Sequence, residues 1–169
     1  RYVNCWPKPI QKLPPIFIPG GGSVETYDFC RDNTYSYSYL SYSGYLRAKL
    51  LMEGYWKRVA ERKVDESPYR AGFAQVICVA DTDADARRIA GPAFERWYAN
   101  LTKLERENVA GPRFTGAITP DLDKSIEAGA FLCGSPDTVC RELGRQIDVL
   151  GHNYSVTGFY FGNIAHDDA

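Results

Sequence analysis

Four short apolar or alternating segments, near residues 16, 35, 73 and 157, are separated by stretches of helical period, and no feature constrains the fold more than this alternation. Strands joined through helices need crossover connections, so they lie parallel. Ile16-Phe17-Ile18 is a continuous apolar run closed by Pro19-Gly20-Gly21-Gly22, as expected of a strand buried on both faces. Thr34 to Leu40 alternates with a period of two, Gly72 to Val79 forms a third strand, and Val156 to Phe161 a fourth. Tyr35, Tyr37 and Tyr39 share one strand face and should pack against helices, while Ser36 and Ser38 point to an interior.

The helices are read from their caps and stripes. Ser23 caps one running to about Asn33, with Glu25 and Asp28 near its positive end. Ala48, Leu51, Tyr55 and Val59 mark a second. A third begins at Asp81-Thr82 and carries Ala86, Ile89, Ala93, Trp97 and Leu101, with Gly91-Pro92 expected to kink or split it. Glu105 to Ile118 shows no period and reads as a long connection, and a short helix after Pro120 leads to Phe131-Leu132-Cys133. Ser135-Pro136-Asp137-Thr138 is a helix start with a proline at its first position, Val139, Leu143, Ile147 and Leu150 form its stripe, and Gly151 ends it. Pro7, Pro9, Pro14 and Pro15 make the opening an extended approach segment. No linker or repeat divides the sequence, so residues 1–169 read as one domain.

Charge and cysteine content narrow the partners. Twenty Lys plus Arg against 21 Asp plus Glu leave a net charge of −1, which provides no field for nucleic acid or an anionic membrane. No apolar run approaches the roughly 20 residues of a membrane helix. The start at Arg1 is neither a signal sequence nor an initiating Met, and the chain is expected to be part of a longer product. Five scattered cysteines without a C-x-x-C pair fit reduced, structural thiols in the cytoplasm. Two histidines outside any ligand pair argue against a metal site. Neither His152 nor His166-Asp167-Asp168 belongs to a recognisable triad.

In parallel α/β proteins, ligands bind at the turns that leave the carboxyl ends of strands. Gly20, Gly21 and Gly22 at such a turn remove the Cβ atoms that would keep an anion from the amides, and the helix start adds unpaired N–H donors. Ser23 and Thr26 add hydroxyls, so a phosphate group is the natural guest; the alternative is a turn that merely needs a positive φ. The string is neither a Walker loop nor a dinucleotide fingerprint. Ser41 and Tyr42, at the carboxyl end of the tyrosine strand, are candidates to lie beside a flat cofactor ring.

Trp6-Pro7-Lys8-Pro9-Ile10-Gln11, the run from Pro14 through Thr26, and Gly134-Ser135-Pro136-Asp137-Thr138-Val139 together resemble the second half of a bacterial luciferase-like flavin-dependent monooxygenase. The resemblance implies the C-terminal half of a (β/α)8 TIM barrel: strands five to eight, about four parallel strands with helices on the outside. It implies reduced FMN supplied by a flavin reductase, with the deazaflavin F420 as the alternative. The flavin phosphate would be held by Gly20, Gly21, Gly22, Ser23 and Thr26. The family's catalytic residues come largely from strands one to four, so none is carried over. The expected function is therefore this half of a flavin-dependent oxidoreductase acting on a small-molecule substrate with incorporation of oxygen, inactive as an isolated chain and prone to form a homo-oligomer. A non-catalytic flavin- or phosphate-binding module and a flavodoxin-type domain are the competing expectations. Strand order separates the last: 1-2-3-4 for a barrel half, 2-1-3-4 for flavodoxin-like winding.

Overall fold

The computed structural model describes residues 6–62, 71–107 and 118–169. The strands are β1 (Phe17–Pro19), β2 (Ser36–Leu40), β3 (Ala71–Val79), β4 (Phe131–Gly134) and β5 (Tyr154–Gly158); the helices are α1 (Val24–Asp32), α2 (Gly44–Arg62), α3 (Asp83–Leu101), α4 (Lys103–Glu107), α5 (Leu122–Glu127) and α6 (Pro136–Leu150). All strand pairs are parallel. Gly72, Phe73 and Ala74 pair with β2 and with β5 at once, so those two strands flank β3 on opposite edges. Val76 pairs with both Phe131 and Gly158, which puts β4 on the edge shared with β2, beyond the end of β2. With β4 set aside as a short strand beyond the end of β2, the strands run β1-β2-β3-β5 in sequence order, the order of one half of a (β/α)8 barrel.

Side-chain alternation explains the layers. Tyr37, Tyr39, Ala71 and Phe73 share a buried cluster with Tyr27 of α1, Ala48, Met52 and Tyr55 of α2, and Leu150 of α6. Tyr37 stacks on Tyr55 at 5.1 Å, and Tyr27 meets both rings edge-on. Buried polar groups on this face pair across elements: Gln75 Nε2 donates to Gln146 Oε1 at 2.7 Å, and Trp56 Nε1 donates to the Leu150 carbonyl at 2.9 Å. Asp28 ties α1 to α2, accepting from Arg58 at 2.8 and 2.7 Å and pairing with Arg62 at 3.1 Å, and these guanidinium groups hold its carboxyl near 2.

The opposite face is covered only in part. Cys78, Phe131 and Cys133 point away from α6 and pack against Ala86, Ala90, Ala93 and Phe94 of α3. Ile77 and Leu132, one residue out of phase, pack on Val139 of α6. The carboxyl half of β3 and all of β4 are thus covered on both faces.

Several elements depart from the sequence reading. α3 is one helix through Pro92, held by Ala90, Ala93 and Phe94, which are all buried around the proline. β4 is a fifth strand, and its four residues are all buried. β5 starts at Tyr154 and stops at Gly158; Phe161, read as strand, instead turns inward and meets Phe131 at 5.2 Å. Part of the expected connection is helix α4, and residues 108–117 lie outside the described residues.

Candidate functional site

The turn between β1 and α1 is built by three glycines in three different situations. Gly20 is committed to the sheet: its amide donates to the Ser38 carbonyl at 3.0 Å, and its own carbonyl accepts from the buried Tyr37 hydroxyl at 2.9 Å. A Cβ there would lie 2.6 Å from the Tyr37 ring. Gly22 adopts φ +97°, in the region L side chains avoid, with Leu51 closing on the place of its missing Cβ. Gly21 alone faces open space, with nothing within 4 Å of where a Cβ would stand. Among the described residues, no acceptor engages the amides of Gly21, Gly22 or Ser23.

Ser23 caps α1 as its residue type dictates. Its Oγ accepts from the Thr26 amide at 3.3 Å and lies 3.0 Å from Thr26 Oγ1. Two hydroxyls and three unengaged amides therefore lie at the positive end of a nine-residue helix. A cleft of about 330 Å³ opens beside them, lined by Pro19, Gly20, Gly21, Tyr39, Leu40, Tyr42 and Ser43. It joins the glycine turn to the carboxyl end of β2.

The structure divides the sequence-selected residues. Gly21, Gly22 and Ser23 carry the unengaged amides, Ser23 and Thr26 the paired hydroxyls, and Tyr42 lines the adjoining cleft with its ring against Trp97 at 5.8 Å. Burial pushes the Tyr42 hydroxyl above its ordinary value, so it stays protonated at neutral pH. Gly20 shapes the turn but has no amide to give. Ser41 is fully buried and donates to the Ala130 carbonyl at 2.8 Å, joining β2 to the segment before β4 and not lining the cleft. His152 is buried away from this cleft with Nε2 3.1 Å from Ser155 Oγ, and burial lowers its pKa. Asp167 and Asp168 line a second, larger cleft with Cys78 and Phe159 at the end of β3.

One residue that sequence reasoning missed, Asp83, occupies a second helix start of related sequence. Gly22-Ser23-Val24-Glu25-Thr26 has a counterpart in Gly134-Ser135-Pro136-Asp137-Thr138 at the start of α6. There the Ser135 hydroxyl accepts from the Thr138 amide at 3.4 Å, as at α1, but the anion position is filled: Asp83 accepts from the Ser135 amide at 2.6 Å through Oδ1 and from Thr138 Oγ1 at 3.1 Å through Oδ2. These donors hold the Asp83 carboxyl below its usual range. A G-S-x-x-T helix start in this protein thus binds two oxygens of an anion with a serine amide and a threonine hydroxyl. The recurrence of those three residue types is the signal that could have revealed it.

Among the described residues, no cluster of three or more His, Cys, Asp or Glu could hold a metal, and no helix is long and apolar enough to cross a membrane. No protein-family model matches the chain, and no curated protein matches it. Solved structures do match. Monooxygenase RslO1 from Streptomyces bottropensis superposes with a TM-score of 0.74 at 14% identity, over 96% of this chain and 46% of that one. The oxygenating constituent of 3,6-diketocamphane monooxygenase from Pseudomonas putida, a type II Baeyer–Villiger enzyme solved in complex with FMN, gives 0.61 at 21% identity, over 86% of this chain and 41% of that one. Apo-MsnO8 gives 0.57 at 21% identity, over 94% and 48%. The chain spans about half the length of these structures, and at such identities the likeness is one of fold. That fold agrees with the luciferase-like resemblance carried by the sequence.

Proposed function

We propose that this chain is the flavin-phosphate-holding half of a luciferase-like, FMN-dependent monooxygenase. The observation that carries the reading is the Asp83 carboxylate on the second G-S-x-x-T helix start, which supplies an internal precedent for an anion at the first. By that precedent the Ser23 amide and the Thr26 hydroxyl take phosphate oxygens, and the amides of Gly21 and Gly22 complete the cradle. The open space at Gly21 lets the phosphate approach the backbone. Tyr42, Tyr39 and Leu40 then form the wall along which the rest of the cofactor lies.

The flavin supplies the oxygen-activating chemistry. The residues of this half bind and orient it, and the clustered tyrosines behind β2 keep the turn rigid. Excluding water needs the remaining wall of the barrel, so the isolated chain is expected to turn over no substrate. A small-molecule substrate and a flavin reductase are the partners this reading calls for.

Titration of the chain with FMN and with riboflavin, which lacks the phosphate, tests it. FMN should bind at least tenfold tighter, and Gly21→Asp should erase the difference. Equal affinity for the two flavins in the unaltered chain would place the phosphate elsewhere.

A further inference from the structure

Cys78 and Cys133 are far apart in sequence, yet β3 and β4 set them directly opposite each other in parallel register. Both are buried, 2% and 3% exposed, and both face α3. Neighbouring strands lie about 4.8 Å apart, inside the roughly 4.4–6.8 Å between Cα atoms that a disulfide spans. The Cys78 S–H donates to the Ala86 carbonyl at 3.6 Å, which orients its sulfur on the α3 face it shares with Cys133. The two thiols influence each other's titration, Cys133 favouring the thiolate of Cys78 against the opposing effect of burial while its own thiol is pushed up.

Each of the two residues also lines a cleft. Cys78 lines the cleft of about 650 Å³ at the end of β3, together with Phe159 and Asp168. Cys133 lines a separate cleft of about 230 Å³ beneath the first turn of α6, with Thr138 and Arg87. Only the backbone and neighbouring side chains of one strand residue separate each thiol from such a cleft, a distance a small neutral oxidant crosses by local fluctuation of the chain.

We propose that Cys78 and Cys133 are a peroxide-oxidisable dithiol that closes to a disulfide between β3 and β4. The Cys78 sulfur attacks one oxygen of hydrogen peroxide, the O–O bond breaks, and a sulfenic acid and water form. The Cys133 sulfur then attacks the sulfenic sulfur, the S–O bond breaks, and a second water leaves. In balance, two thiols and one peroxide give one disulfide and two waters. The bond would fix the carboxyl end of β3 to β4 below the Asp83 bridge that already links the helices following these strands. The inference does not depend on the flavin reading.

The test uses the full chain carrying Cys5→Ser and Cys140→Ser, which leaves the pair and Cys30. Cys30 lies on the buried face of α1, where burial pushes its thiol up to about 11, and it serves as the internal control. After exposure to hydrogen peroxide, alkylation in denaturant and digestion, the expected product is a dithiothreitol-reducible peptide pair joining residues 78 and 133. It is lighter by two hydrogens, and Cys30 remains alkylated. With Cys133→Ser added, a sulfenic acid trapped by a cyclic diketone should accumulate at Cys78. The proposal is overturned if both thiols alkylate fully at peroxide doses that oxidise Cys140 in the unsubstituted chain, or if Cys78 and Cys133 oxidise no faster than Cys30.

Discussion

The two G-S-x-x-T helix starts, at α1 and at α6, share residue types, cap geometry and a position at the carboxyl end of a parallel strand, and they differ in what meets their amides. At α6 the neighbouring helix α3 brings Asp83 to the Ser135 amide, and the site is closed by the protein's own carboxylate. At α1 the amides meet no acceptor among the described residues, and a cleft opens beside them. The difference extends to the ends of the strands: all four residues of β4 are buried, whereas Leu40, at the carboxyl end of β2 beside the open turn, is exposed. Similar local chemistry thus becomes a structural joint where a neighbouring helix fills it, and leaves amides open where none does.

The largest break in this comparison comes from the closed region. Phe131 is fully buried against Phe94 at 5.3 Å and against Phe161. Phe131→Ala should cost about 3–5 kcal/mol of folding stability, measured by urea denaturation. If the loss is below 1 kcal/mol, the double coverage of β4 is not holding the fold.

Gly21→Asp acts on the open region instead. Its side chain enters empty space, so the denaturation midpoint should hold, while FMN binding weakens by at least tenfold, about 1.4 kcal/mol, because a carboxylate stands where the phosphate belongs. An unchanged dissociation constant in a fluorescence titration would put the anion site outside this turn.

Ser23→Ala and Ser135→Ala sharpen the contrast at matched positions. Each removes a helix cap and should cost about 1 kcal/mol of stability. Only Ser23→Ala should also weaken FMN, as calorimetry would show; equal binding losses would mean that the two starts are not functionally distinct.

The smallest effect is a titration. The folded value of Asp83 lies below its unfolded one, so its contribution is complete above about pH 3.8 and is lost as pH falls through the depressed folded value. In an NMR titration, the Ser135 amide should shift in that acid range while the Ser23 amide does not follow it. A Ser135 amide indifferent to acid would refute the carboxylate bridge.

What could be read from the sequence is what nearest neighbours decide. The caps at Ser23 and Ser135, the stop at Gly151 with φ +63°, and the facing of Tyr37 and Ser38 all follow from local hydrogen bonding and pleat alternation, and the structure repeats them. The glycine turn was legible as a run of open amides at a capped helix start for the same reason. Which glycine gives its amide was not: Gly20 looks like Gly21 in one dimension, and only pairing with Ser38 in β2 removes it from the set. Ser41 drops out likewise, because its partner Ala130 lies far along the chain.

β4 was missed because four apolar residues carry no period, and α3 survives Pro92 because the buried Ala90, Ala93 and Phe94 outweigh one missing backbone bond. The sequence by itself determined the alternation of strands and helices and the chemistry available at each turn, since those depend on residues within a few positions of one another. The tertiary structure alone decided that one G-S-x-x-T start is filled by Asp83 and the other left open, and that Cys78 meets Cys133. Those outcomes depend on which distant segments the parallel sheet brings into contact, and no local pattern encodes that contact.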